Sequence, residues 1–138
     1  LSRRLTREVA FKALFQIDIG KCRAEQALRH SLDGFHLSEE EEKFYRELVV
    51  GTADNRQYLD QLIKKHLINW EIDRLSAVDR NLLRLALYEI CFMPEIPYAV
   101  SINEALELAK KYGSTGEAVG FINGVLDRAT GEALEKET

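Results

Sequence analysis

An all-α fold is predicted by three observations. Two prolines (Pro94, Pro97) and eight glycines are few interruptions for 138 residues. No segment sustains the period-two alternation of β-branched residues that marks a half-buried strand. A serine three residues ahead of an acidic residue recurs before apolar periodic runs, at Ser38 with Glu41, Ser76 with Asp79, Ser101 with Glu104 and Ser114 with Glu117. In that spacing a hydroxyl caps a helix and an N3 carboxylate reaches back to the cap. With 46% apolar and 30% charged residues the chain suits one globular domain with a real core.

The elements follow in order. A helix over about 3–18 places Leu5, Val9, Ala10, Ala13, Leu14 and Ile17 on one broad face. Phe11 and Phe15 fall outside it, in the sector of Arg4, Arg7 and Glu8. Either a second layer of helices covers them or they meet a partner or a base. Further helices are read over 22–33 and 38–67, the latter with a break near Gly51, and a short turn over 71–75. The acidic run Glu39–Glu42 sits at a helix start, where unpaired backbone N–H groups favour negative charge. The segment 76–93 is apolar on almost every side (Val78, Leu82, Leu83, Leu85, Ala86, Leu87, Ile90, Phe92), so it should pass through the middle of a bundle. Arg80, Arg84 and Tyr88 form a narrow stripe along it, with Asp79 and Glu89 beside them. That stripe reads as a solvent edge held by local ion pairs, with a partner surface as the alternative.

The last two helices are read over 99–112 and 115–130. Gly113 and Gly116 flank the turn between them, and Gly120 and Gly124 lie one turn apart in the second. Glycine inside a helix costs up to about 1 kcal/mol relative to alanine, so the pair points to a close helix crossing. Lys110, Lys111 and Tyr112 close the first of these helices and Phe121 follows the turn. Two cations with two aromatics fit a platform for single-stranded bases, or ordinary core packing.

Charge is divided unevenly. Residues 1–30 carry seven basic and three acidic side chains, net +4, whereas residues 31–138 are net −8. A basic patch on an acidic body orients a polyanion, and nucleic acid is the first partner to consider. The rival reading of Arg3, Arg4 and Arg7 is a solvated helix end. Catalytic and cofactor signatures are missing: there is no phosphate-binding glycine loop, dinucleotide fingerprint, paired Cys-x-x-Cys or metalloprotease motif. His30, His36 and His66 stand apart. Cys22 and Cys91 show no pairing signature, as fits a reducing cytoplasm. No apolar run reaches the roughly 18 residues needed to span a bilayer, and the N-terminal residues lack the apolar stretch of a signal peptide.

Four blocks carry a resemblance: RRLTREVAFKALFQID at 3–18, DRNLLRLALYE at 79–89, IPYAVSINEALELAKKYG at 96–113 and FINGVLDR at 121–128. Together they resemble the NusB family of bacterial transcription antitermination factors over essentially the whole chain. The resemblance implies two packed three-helix sub-bundles within about seven helices, and no catalysis or cofactor. It implies binding of box A RNA from ribosomal RNA transcripts together with NusE, a small-subunit ribosomal protein, within an antitermination complex on RNA polymerase. By position, Arg3, Arg4 and Arg7 would contact phosphates. Lys12, Lys111, Tyr112 and Phe121 would lie along the RNA, the two aromatics stacking on bases. Phe15, Asp79 and Arg80 match the NusE-binding face. Phe15 lacks the phenolic hydroxyl that relatives often carry there, so a polar contact with NusE at that place is not expected. Leu5 stands where some carry arginine and the turn from Ser114 to Gly120 has few charges, so RNA binding without NusE should be weaker. The resemblance also admits the N-terminal domain of a ribosomal RNA cytosine methyltransferase, against which the lack of a cofactor-binding glycine loop counts. A homodimer that masks its RNA surface is a third reading.

Overall fold

The structure, a computed structural model, describes residues 3–68, 71–113 and 115–135. All regular elements among them are helical: α1 (Arg3–Gly20), α2 (Ala24–Ser31), α3 (Glu39–Asp54), α4 (Arg56–Lys65), α5 (Ala77–Phe92), α6 (Tyr98–Tyr112) and α7 (Ala118–Glu135), with a 3-10 turn at Ile72–Arg74 before α5. Helices α1, α2 and α3 pack on one another, as do α5, α6 and α7. These are the two expected three-helix groups. Helix α5 joins them by touching α1, α3 and α4 as well.

Local chemistry sets several boundaries. Ser38 caps α3 with both halves of a capping box: its Oγ accepts from the Glu41 N–H (3.2 Å) and its own N–H donates to Glu41 Oε1 (3.0 Å). Hydrogen bonding from Ser38 holds the Glu41 carboxyl below its ordinary value. Ser76 caps α5 by accepting from the Asp79 N–H at 3.0 Å. Ser101 does not cap α6, which begins one turn earlier behind Pro97; its hydroxyl is buried and used elsewhere. The expected cap at Ser114 lies outside the described residues. Beyond Gly20, Lys21 takes φ +51°, a left-handed position that turns the chain out of α1.

The helix over α3 is not broken at Gly51. It runs to Asp54, and the interruption falls at Asn55, whose side-chain Nδ2 donates to the Gly51 carbonyl at 2.8 Å. Gly51 answers a packing demand instead: a Cβ there would overlap the Tyr88 ring of α5. Close approach at Gly120 and Gly124 is not found. Gly120 has open space around its missing Cβ, and Gly124 faces only the end of the Arg128 side chain.

Helix α5 is the core helix, buried without exception from Asn81 to Ile90. Its polar stripe is therefore no solvent edge. Arg84 is 3% exposed and Tyr88 is buried, while Arg80 is half-buried. The physical reason is long-range neutralisation. Arg84 donates to both oxygens of Asp60 on α4 (Nε–Oδ1 2.7 Å, Nη2–Oδ2 3.0 Å) and to Asp18 of α1 (3.1 Å). A charge can face neighbouring helices when carboxylates from those helices meet it.

Candidate nucleic-acid interface

Side chains four residues apart on α1 reach across to α6. Arg4 forms a two-pronged bond with Glu104 (Nε–Oε2 2.9 Å, Nη2–Oε1 3.1 Å). One turn on, Glu8 accepts from Lys111 Nζ at 2.6 Å and from the Tyr112 hydroxyl. Phe11 is buried against the Tyr112 ring, 5.4 Å between centroids, and Phe15 follows at 6.4 Å from Phe11. A second layer does cover Phe11, while Phe15 remains half-buried.

Two ammonium groups flank Tyr112: Lys12 Nζ lies 5.8 Å and Lys111 Nζ 5.5 Å from its ring centroid. Burial would raise the Glu8 carboxyl, but bonds from Lys111 and Tyr112 and the nearby Lys12 charge hold it below its ordinary value. Glu8 thus favours its ionised form and holds Lys111 beside Tyr112. Arg4 and Lys111 keep 63% and 60% of their side-chain surface exposed despite their carboxylate partners. A phosphate must compete with Glu104 and Glu8 for them, whereas Lys12 has no carboxylate at ion-pair distance among the described residues.

The three N-terminal arginines do not form one cluster. Arg3 stacks over Phe44 of α3, 4.4 Å from its centroid, and Arg4 turns to α6. Arg7 is not available to a phosphate. It is 4% exposed and both prongs of its guanidinium bind Glu89 of α5 (Nε–Oε2 and Nη2–Oε1, each 2.9 Å), which also accepts from Ser101 Oγ at 3.0 Å. Its assignment to RNA is corrected to a structural role. At 100° per residue Leu14 and Asp18 fall about 20° to either side of Arg7, on the face that meets α5.

Asp79 and Phe121 share an open groove of about 530 Å³ between the starts of α5 and α7, lined also by Arg74, Leu75, Thr115 and Glu117. Burial raises the Asp79 carboxyl against a lowering bond from Ser76, and its Oδ1 has no hydrogen-bond partner among the described residues. Arg80 is largely committed within the chain. Its Nε donates to Asp18 (2.6 Å) and its Nη1 to the Leu75 carbonyl (3.0 Å).

The structure therefore joins Arg4, Lys12, Lys111 and Tyr112 on one seam, with Phe15 at its end. It separates Arg3 and buries Arg7. It sets Phe121 beside Asp79 rather than grouping it with Tyr112. Sequence reasoning missed Glu8 and Glu104, the carboxylates that order the seam. Glu8 was legible as the middle of an Arg4–Glu8–Lys12 stripe at i, i+4 spacing; Glu104 was assigned to a cap that does not form.

Comparison with known proteins agrees with this architecture. The NusB family model matches residues 4–130. A protein of Bacillus licheniformis named transcription antitermination protein NusB is 46% identical over 126 residues, covering 91% of this chain and 94% of that one. One of the same name from Myxococcus xanthus is 43% identical, covering 92% and 93%. Among solved structures, T. maritima NusB superposes with a TM-score of 0.87 at 39% identity over 98% of both chains. A chain from a crystal structure of antitermination factors NusB and NusE with double-stranded RNA superposes at 0.87 with 27% identity, covering 94% of this chain and 96% of that one. With sequence and fold matched along nearly the full length, and relatives named for transcription antitermination rather than for any catalysis, the chain belongs to the NusB family.

Proposed function

We propose that this chain is an RNA-binding adaptor. Its α1–α6 seam binds single-stranded box A-type RNA of ribosomal transcripts, and its adjoining face binds NusE, so that the pair enters an antitermination complex on RNA polymerase. The observation that carries the reading is the run Phe15–Phe11–Tyr112 with Lys12 and Lys111 beside it. It makes the end of the RNA seam continuous with the residue assigned to the partner. Arg4, Lys12 and Lys111 take phosphates, Arg3 adds charge from the α3 side, and the exposed parts of Tyr112 and Phe121 stack on bases. Phe15, Asp79 and the remaining Arg80 nitrogen meet NusE. Support comes from the solved relative that holds NusE and RNA together. Because Glu8 and Glu104 already occupy two of the cations, the seam alone is a weak polyanion site. A second basic surface held next to it raises affinity by linkage.

The test is RNA affinity of Lys12→Ala plus Lys111→Ala across a salt series, by fluorescence anisotropy. Two lost phosphate contacts on a single strand should lower the slope of log affinity against log salt by about 1.4. Asp79→Lys should weaken NusE capture. A double variant with the parental slope places the RNA elsewhere.

A further inference from the structure

A second surface lies on the side of the molecule built from α3, α4 and α5. Phe92 stacks on Tyr88 at 5.2 Å and meets Tyr58 of α4 edge-on at 5.8 Å. Tyr88 is buried over Gly51, but Tyr58 and Phe92 are 44% and 42% exposed, although α5 is otherwise the core helix. Three carboxylates lie close enough to the Tyr88 end of this cluster to act on its hydroxyl. Glu47 and Asp54 lie four residues before and three after Gly51, hence on the face of α3 that Tyr88 covers, and Glu95 follows Phe92 by three residues. Burial first, then the fields of Glu47, Glu95 and Asp54, push the Tyr88 phenol above its ordinary value, as their closeness requires. All three carboxylates are exposed and none is matched to a cation among the described residues. The adjacent Arg56 is drawn away to Asp18 and Asp60 (3.6 and 3.7 Å), and Glu132, near Tyr58, is met by Lys65 and His66.

We propose that this patch docks a basic protein segment, whose arginine or lysine side chains lie on the Tyr58 and Phe92 rings and pair with Glu47, Asp54 and Glu95. Ring faces and carboxylates attract the same sign of charge, so the two features select one occupant. A nucleic acid is repelled by the same carboxylates. The patch shares no residue with the α1–α6 seam, so both can be filled at once, and the inference stands apart from the RNA assignment.

The experiment uses the full chain, labelled with ¹⁵N and titrated with a short peptide of alternating arginine and leucine. Amide shifts are expected at 47–58 and 88–95. Affinity should fall by about fivefold or more in Glu47→Lys plus Glu95→Lys and in Phe92→Ser. The same charge change at Glu39→Lys plus Glu40→Lys should alter it less than about twofold. Equal losses in both charge variants would mean general attraction to an acidic body and overturn the proposal, as would shifts centred elsewhere. Concentration-dependent shifts at 58 and 92 without peptide would also overturn it, assigning the patch to a second copy of the chain. The charge variants change only exposed positions, so they remain informative if Phe92→Ser loses its fold.

Discussion

Glu89→Ala should destabilise the chain by about 3–5 kcal/mol in urea unfolding, because it leaves the Arg7 guanidinium buried without its carboxylate. Arg7 and Glu89 are 5% and 2% exposed at their side chains and bound through two prongs, with Ser101 on the same carboxylate. Loss of one partner costs far more than loss of both. Arg7→Met with Glu89→Leu together should be less costly than either single change, since an apolar pair of similar volume has no charge to desolvate. The double variant also separates structure from function. If Arg7 is structural, the double variant keeps the parental RNA affinity and salt slope; a slope reduced as in the lysine variants would return Arg7 to the phosphate path.

Asp18→Ala should cost about 3 kcal/mol or more and alter the acid limb of the stability curve. Asp18 is a hub: its carboxylate accepts from Arg80 (2.6 Å), Asn81 (2.9 Å) and Arg84 (3.1 Å), with Arg56 at 3.6 Å. Burial alone would raise its pKa, but bonds from Arg80 and Asn81 and the charges of Arg84 and Arg80 bring it from 3.8 to about 2. The folded value lies below the unfolded one. Its contribution is therefore complete above the ordinary carboxyl value and is lost as pH falls through the folded value. Roughly 2 kcal/mol should disappear between about pH 4 and pH 2 in the parent. Asp18→Asn should flatten the curve in that window, and an unchanged acid limb would show that another carboxylate governs it.

The all-helical class and the core role of the 76–93 segment were legible in the sequence because each depends on local periodicity, whereas periodicity leaves Phe11 between a covering layer and a partner, and it is Tyr112 of α6 that covers it. What was not legible depends on charges far apart in the chain. Arg7 looked like part of a basic terminus, yet it is buried where α1 meets α5, and Glu89 on that distant helix makes the placement tolerable. The Arg80–Arg84–Tyr88 stripe had helical spacing appropriate to an exposed edge. Asp18, Asp60 and Gly51 come from three other helices and turn it inward. Ser101 fitted a capping box as well as Ser38 did, but Pro97 starts the helix earlier and sends the serine to Glu89. Among the proposed site residues, Lys12, Lys111 and Tyr112 came together because α5 packs on both α1 and α6 and brings their side chains within reach, which no local pattern encodes.

The central claim is that RNA recognition belongs to a joint surface and is weak on this chain alone. It is tested most directly by anisotropy with a box A-type single strand, a scrambled strand and a duplex of the box A sequence, each with and without NusE, at two salt concentrations. Preference for the box A single strand is expected, strengthened by about tenfold or more when NusE is present and weakened by salt. Salt-sensitive binding that ignores sequence and is unchanged by NusE would contradict it, leaving a basic seam without an adaptor's selectivity.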